Sequence, residues 1–390
     1  MSRVANATRD NQDEMSKTIE ELIPEYLRGL PVYVPGKPIE EVERELNIRA
    51  IKLASNENPL GPSPLAMEAA RKVLGESNRY PDGGTLRLRE KIAAMHEVSP
   101  DEVFIGLGSS ELIDVAARVL LGPGTIGLTS EGTYPPFSTA IRANGGSLEH
   151  VPMCAFAYDL PEMAHAITDA TRIVYLANPN NPTGTAFGAQ EFERFLSHVA
   201  SDTLVVLDEA YIHYAERTDM PQSVELFRLR KNLLILRTFS KVYGMAGIRV
   251  GYGIGAAALV SAMNKLRTPF NVSGVAQAAA LAALDDHEHV KRCTEANRVE
   301  RKRITEEVAK LGLKPVGSQT NFVFVETGPE AKAIGDELLQ EGVIVRPLAW
   351  MGFPEAMRIS VGTAEENGKL FLALGRVLAK RKGKPELTAR

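Results

Sequence analysis

Short apolar runs recur along the chain between about residues 100 and 255. They are VFIGLG from Val103, TIGLTS from Thr125, RIVYLANP from Arg172, TLVVLDEA from Thr203, NLLILRTF from Asn232 and IRVGYGIG from Ile248. Each is rich in Val, Ile and Leu and short enough to be a strand. Segments with helical spacing lie between several of them, such as ELIDVAARVLL from Glu111 and EFERFLSHVA from Glu191. Each of these follows a turn containing Gly, Ser or Thr. Runs that are apolar throughout, alternating with helices, predict strands buried on both faces of a mostly parallel sheet.

The pattern changes after PFNVSGVAQAAALAAL, which ends at Leu284. HEHVKRCTEANRVERKRITEEVAKLG then predicts one long amphipathic helix, with Val290, Cys293, Ala296 and Val299 on its apolar face and Ile304, Val308 and Leu311 continuing it. Strand patterns follow at NFVFVE, GVIVRP and MRISVG, with a helix, EAKAIGDELLQEG, after the first. That is a smaller α+β unit. The predicted division is a disordered tail over 1–20, an N-terminal arm and part of the small domain over 21–56, a large domain over 57–285 and a small C-terminal domain over 286–390.

Composition narrows the function without naming it. The 390 residues carry 44% hydrophobic and 24% charged side chains, a net charge of −4 and a pI near 6.1. Those values suit a soluble globular chain and give no basic face for nucleic acid. Cys154 and Cys293, the two cysteines, offer neither a disulfide framework nor metal-ligand spacing and read as small apolar residues. No run has the length of a membrane span, and the polar N-terminus lacks the apolar core of a signal peptide. The expectation is a cytoplasmic protein without a metal, a nucleic-acid partner or a membrane partner.

The chemistry concentrates in RTFSKVYGMAGIRVGYG, from Arg237 to Gly253. A cofactor that forms a Schiff base needs an amine, and its phosphate needs hydroxyl and guanidinium donors nearby. Ser240, Lys241 and Arg249 supply these. Arg249, flanked by IRVGYG, is expected in a buried strand. Asp208 ends the apolar run TLVVL. A carboxylate there needs a partner, which a protonated pyridine nitrogen provides, or else it caps the following helix. GLGSSELI, from Gly106, places Ser109 and Ser110 between a strand and a helix, where backbone N–H groups cradle phosphate or a serine merely caps. NPNNPTG, from Asn178, is a turn sequence in its own right and holds Asn181.

Taken together, NPNNPTG, VVLDEAY, GLGSSELI and the lysine run resemble the fold-type I pyridoxal-phosphate aminotransferases, most closely the histidinol-phosphate aminotransferase family. The resemblance extends from YVPGKP near Tyr33 to MRISVGT near Arg358. It implies an aspartate-aminotransferase-like α/β fold with a seven-stranded type of sheet, pyridoxal 5'-phosphate as cofactor, and an active site in the interdomain cleft of a homodimer. It implies Lys241 as the Schiff-base residue, Asn181 and Tyr211 as donors to the cofactor's phenolic oxygen, and Tyr134 stacked on its ring. It assigns Tyr80 to the phosphate of the neighbouring subunit and Arg358 to the substrate anion, with Arg346 a second candidate for that anion. Tyr33 either closes over substrate or packs the arm. Asn56, in SNENPLGP, receives no chemical role. Trp350, the single tryptophan, either lines the side-chain pocket or caps a loop.

The implied reaction is amino transfer between histidinol phosphate and 2-oxoglutarate. The alternatives are an aromatic amino-acid aminotransferase, a threonine-phosphate decarboxylase, and a regulator using the fold as an effector domain. The last would need a DNA-binding unit, and the roughly fifty residues before the fold lack a helix-turn-helix pattern.

Overall fold

The structure, a computed structural model, describes residues 18–30, 32 and 36–382. Seven strands form the large sheet: β1 Val103–Gly106, β2 Ile126–Ser130, β3 Ser147–Val151, β4 Thr171–Ala177, β5 Leu204–Asp208, β6 Leu233–Thr238 and β7 Gly251–Ile254. Their order is β1-β7-β6-β5-β4-β2-β3, and only β7 runs antiparallel to its neighbours. The sheet is therefore mostly parallel and flanked by helices, as the apolar runs predict.

Alternation along the central strands explains why the runs are apolar throughout. Val174, Leu176, Val205, Leu207 and Ile235 enter one buried cluster. Their neighbours Ile173, Tyr175, Val206, Leu234 and Leu236 enter another on the opposite face. Successive strand side chains point to opposite faces, so a strand buried on both can hold no polar residue cheaply. β3 has no such run, because at the sheet edge it alternates exposed and part-buried positions over SLEHV.

A second sheet has the strands β8 Lys314–Pro315, β9 Phe322–Glu326, β10 Arg346–Leu348 and β11 Phe353–Ser360. Its order is β10-β11-β9-β8, all antiparallel. Its core gathers Val323, Val325, Met357 and Ile359 with Ile304 and Val308 of the long helix and with Ile51 and Leu53. The run VIVRP is split. Val343–Ile344 pairs in parallel with Ile51–Lys52, and only Arg346 onward joins β11.

Four expectations need correction. Val299 lies on the outside of the helix His287–Lys310, 47% exposed. The buried line runs through His289, Cys293, Asn297, Arg301, Ile304 and Val308 instead. Polar members are tolerated because they are partnered: Arg301 donates to the carbonyls of Tyr214 and Thr320, at 3.1 and 2.8 Å, and pairs with Glu216, while Asn297 donates to Thr320. Arg249 is not in a strand. It is exposed at φ +61°, and β7 begins two residues later. The predicted tail stops short of residue 20, since Thr18 and Glu21 form a reciprocal capping box on the helical turn Ile19–Leu22. The rest of the tail, residues 1–17, lies outside the described residues. Cys154 is exposed at a tight turn, whereas Cys293 is buried in the core as expected.

The loop carrying Lys241 is docked by backbone against backbone. Gly244 has φ +68°, and a Cβ there would sit 2.0 Å from the carbonyl oxygen of Gly61. Gly244→Ala is expected to cost about 2–4 kcal/mol of stability from strain and clash together. Chemical denaturation would measure it, and an unchanged midpoint would show that the two loops part freely.

Candidate active site

A cavity of about 420 Å³ opens where the C-terminal ends of β4, β5 and β6 face the second sheet. Lys241 lies on the turn after β6. Its Nζ donates to the Asn56 carbonyl at 3.3 Å and lies 5.4 Å from the centre of the Tyr211 ring. Burial, with Arg358 next in size, lowers this amine from the usual 10.5 to about 8. A neutral, nucleophilic fraction therefore exists near physiological pH.

Asp208 is the last residue of β5, where every position is buried. Burial pushes its carboxyl up to about 6, against the hydrogen bonds from the Ala210 N–H and Ser109 and the charge of Lys241. The cavity therefore presents a carboxylate that a cationic partner would stabilise.

Adjoining it, through Ser109, is a cradle suited to an anion. Gly108, at φ +87°, precedes the twelve-residue helix Ser109–Leu120. Thr238 donates to Ser240 Oγ at 3.0 Å, and Arg249 approaches the same oxygen at 3.5 Å. Arg249 is held by the carbonyls of Ala246 and Leu107, each at 2.9 Å. These walls leave no room for side chains: a Cβ on Gly108 would lie 3.0 Å from Arg249 Nη2, and one on Gly251 would lie 2.8 Å from Gly108 Cα. Helix N–H groups, hydroxyls and a guanidinium thus converge. Ser110 Oγ and Tyr134 Oη lie 3.0 Å apart at the rim, and Tyr134 sets its ring edge-on to Phe137.

The facing wall comes from the second sheet. Arg358, on β11, donates to Asn181 Oδ1 and, at 2.7 Å, to the Ala54 carbonyl. Arg346, on β10, is its direct cross-strand partner. Two arginines on neighbouring strands of one wall offer an anion planar, two-pronged donors. The Arg346 guanidinium lies 4.7 Å from the Trp350 ring centre, and both residues line the cavity.

The structure thus brings together Ser109, Ser110, Tyr134, Asn181, Asp208, Tyr211, Ser240, Lys241, Arg249, Arg346 and Arg358 from distant parts of the chain. Tyr80 is not with them. It is 83% exposed and stacked on Phe270 at 4.7 Å. Tyr33 lies outside the described residues. Asn56 and Thr238 were missed by sequence reasoning. Thr238 ends a strand like many threonines. Asn56 had one signal, its place in an Asn-rich turn, but its contacts are all long-range. Among the described residues no cluster of His, Cys, Asp and Glu could hold a metal, and no helix is long and apolar enough to cross a membrane.

Comparison with known proteins gives the family. The family model described as aminotransferase class I and II matches residues 48–374. Histidinol-phosphate aminotransferase 2 of Pseudomonas aeruginosa is 45% identical over 356 residues, covering 90% of this chain and 96% of its own. Histidinol-phosphate aminotransferase of an Anaeromyxobacter species is also 45% identical, covering 92% of this chain and 99% of its own. Among solved structures, histidinol-phosphate aminotransferase from Sinorhizobium meliloti in complex with pyridoxal-5'-phosphate superposes with a TM-score of 0.84 at 32% identity, covering 92% of this chain and 98% of that one. On the length of these matches and the site they enclose, the chain belongs to the class I and II aminotransferases and, within them, to the histidinol-phosphate aminotransferase family.

Proposed function

We propose that this protein is a pyridoxal-phosphate-dependent aminotransferase that moves the amino group between histidinol phosphate and 2-oxoglutarate, in the cytoplasm, as a homodimer. The opposed pair Arg346 and Arg358 carries the choice of substrate, because two guanidinia suit a dianionic phosphate better than one would.

The residues present fit the cofactor. Asp208 is a buried carboxylate in want of a cation, and a protonated ring nitrogen is one. The glycine-walled cradle suits its phosphate, with Ser109, Ser110, Ser240 and Arg249 as donors. Asn181 and Tyr211 would hold its phenolic oxygen, and Tyr134 would cover its ring. Lys241 supplies the amine that captures the aldehyde. When bound, pyridoxal phosphate supplies an electron sink for charge developing at the substrate α-carbon. Asp208 keeps the proton on the ring nitrogen. Lys241, whose amine burial brings toward neutrality, would be the base that moves the proton at the substrate α-carbon. Arg358 holds phosphate in one half-reaction and carboxylate in the other, and Tyr33 would close the arm over them.

The division into a large domain over about 57–285 and a small one built from 21–56 and 286–390 is part of this proposal. It is supported by the separate clusters around the two sheets and by Ile51 and Leu53 joining the second. The position of Tyr80, exposed and away from its own cavity, supports its service to a second copy of the chain. Trp350 favours one other reading, an aromatic amino-acid aminotransferase, since it places a large apolar ring in the cavity wall.

Covalent capture of pyridoxal phosphate by cofactor-free protein should rise with pH through an inflection near 8, because the Lys241 amine must lose its proton to attack. Stopped-flow absorbance would follow it. An inflection at the ordinary lysine value, or capture by Lys241→Ala, would remove the assignment. Steady-state rates with 2-oxoglutarate should give a higher kcat/KM for histidinol phosphate than for phenylalanine or tyrosine. Arg346→Ala should lower the phosphate donor's value by roughly tenfold or more, as loss of a charge-assisted contact does. Preference for the aromatic donors, unaltered by Arg346→Ala, would favour the second reading. Mixing inactive Tyr80→Ala and Lys241→Ala dimers under subunit exchange should restore activity, because hybrids carry one intact site. Verified exchange without recovery would argue against a shared site.

A further inference from the structure

Asn56 has no part in the assignments above, yet it is 2% exposed and bonds to two of the site's residues, Tyr211 and Lys241. Its Nδ2 donates to Tyr211 Oη at 3.0 Å. Its backbone N–H donates to Ser360 Oγ at 2.8 Å, and its Oδ1 accepts the Ser360 hydroxyl at 3.0 Å. Its carbonyl accepts from Lys241 Nζ at 3.3 Å and from Asn321 Nδ2 at 3.0 Å. One asparagine thus ties Asn321, just before β9, and Ser360, at the end of β11, to both the tyrosine and the lysine. It does so at φ +55°, a left-handed conformation that asparagine tolerates better than most residues.

The orientation of the carboxamide decides what Tyr211 can do. A tyrosine hydroxyl has one proton to give. If Oδ1 faced Tyr211, the hydroxyl would donate to it and have nothing left for the cavity. Ser360 disfavours that. Its buried hydroxyl accepts the Asn56 N–H and gives its own proton to Oδ1; with the amide reversed that proton would face an NH2 group instead of an acceptor. The amide is thereby turned with its NH2 toward Tyr211. Tyr211 receives a hydrogen bond from behind and keeps its proton for the cavity side.

We propose that Asn56 is a positioning residue that acts through Tyr211: locked by Ser360, its carboxamide commits the tyrosine proton to the phenolic oxygen of the bound cofactor. This rests on the cofactor reading given above. A donor on that oxygen favours its ionised form and lowers the pH at which the loaded protein's visible band titrates. The role is separable from packing because two substitutions have opposite rankings under the two views. Asn56→Asp keeps the shape and accepts the left-handed backbone, but its carboxylate can only accept, so it turns the Tyr211 proton backward. Asn56→Gly suits the backbone and removes the side chain, leaving Tyr211 free to donate forward.

The test is a pH titration of the visible band of cofactor-loaded protein. Asn56→Asp is expected to raise the titration midpoint by on the order of one pH unit, the value of about one hydrogen bond. Asn56→Gly should raise it by less than half as much. In a Tyr211→Phe background, with no hydroxyl to redirect, the shift from Asn56→Asp should fall below half its size, the remainder being the effect of the added charge. Should Asn56→Asp fail to fold, Ser360→Ala carries the same test: an upward shift that disappears in the Tyr211→Phe background. Equal shifts from Asp and Gly, or an Asp shift unchanged beside Phe, would overturn the role. A wild-type protein without a Lys241-dependent band would overturn the cofactor reading and this role with it. A band that responds to Tyr211→Phe but to neither Asn56 nor Ser360 variants would overturn this role alone.

Discussion

Asp208 is a carboxylate placed where its strand has no exposed residue. Little of it reaches solvent, so its charge depends on what the protein and its ligands set around it. The response is visible in its neighbours. A backbone N–H from Ala210 and the Ser109 side chain point at it, and the Lys241 amine stands close enough to favour its ionised form. Lys241 is meanwhile pressed toward neutrality by burial and by Arg358. The two groups are thus drawn toward each other in acidity, one up to about 6 and the other down to about 8. Near pH 7 the carboxylate remains largely charged while the amine is within reach of its reactive form. A surface pair would have neither property, since solvent would hold each group at its ordinary value.

The parts of the fold legible in the sequence are those in which burial leaves no freedom. β4, β5 and β6 read directly because both faces are covered and their central positions are all apolar. β3 did not, because an edge strand alternates and its SLEHV pattern resembles a loop. Arg249 was misplaced for a related reason. Ile248 and Val250 continue an apolar run, and hydropathy says nothing of the positive φ that takes the arginine out of the strand. The long helix was legible in extent but not in facing. Asn297 and Arg301 are buried by virtue of carbonyls from Tyr214 and Thr320, which no local pattern announces.

The site divides in the same way. Lys241, Asp208, Asn181 and the serine cradle lie in short motifs at strand ends, where residue type and position together suggest chemistry. Asn56 lies 155 residues from Tyr211 and 304 from Ser360, so its role arises only in the folded chain. Thr238 is similar on a shorter scale, acquiring meaning through the hydroxyl of Ser240. What sequence conveys poorly is the direction of a hydrogen bond, and at this site direction decides which groups donate into the cavity.

The guanidinium of Arg346 lies against the ring of Trp350, and that ring is the chain's only indole. A cation over an aromatic face is held weakly enough for an arriving anion to compete for it. An anion that engaged Arg346 would therefore change the environment of a single chromophore, with no other tryptophan to dilute the signal. The chain would then carry its own optical gauge of that end of the cavity.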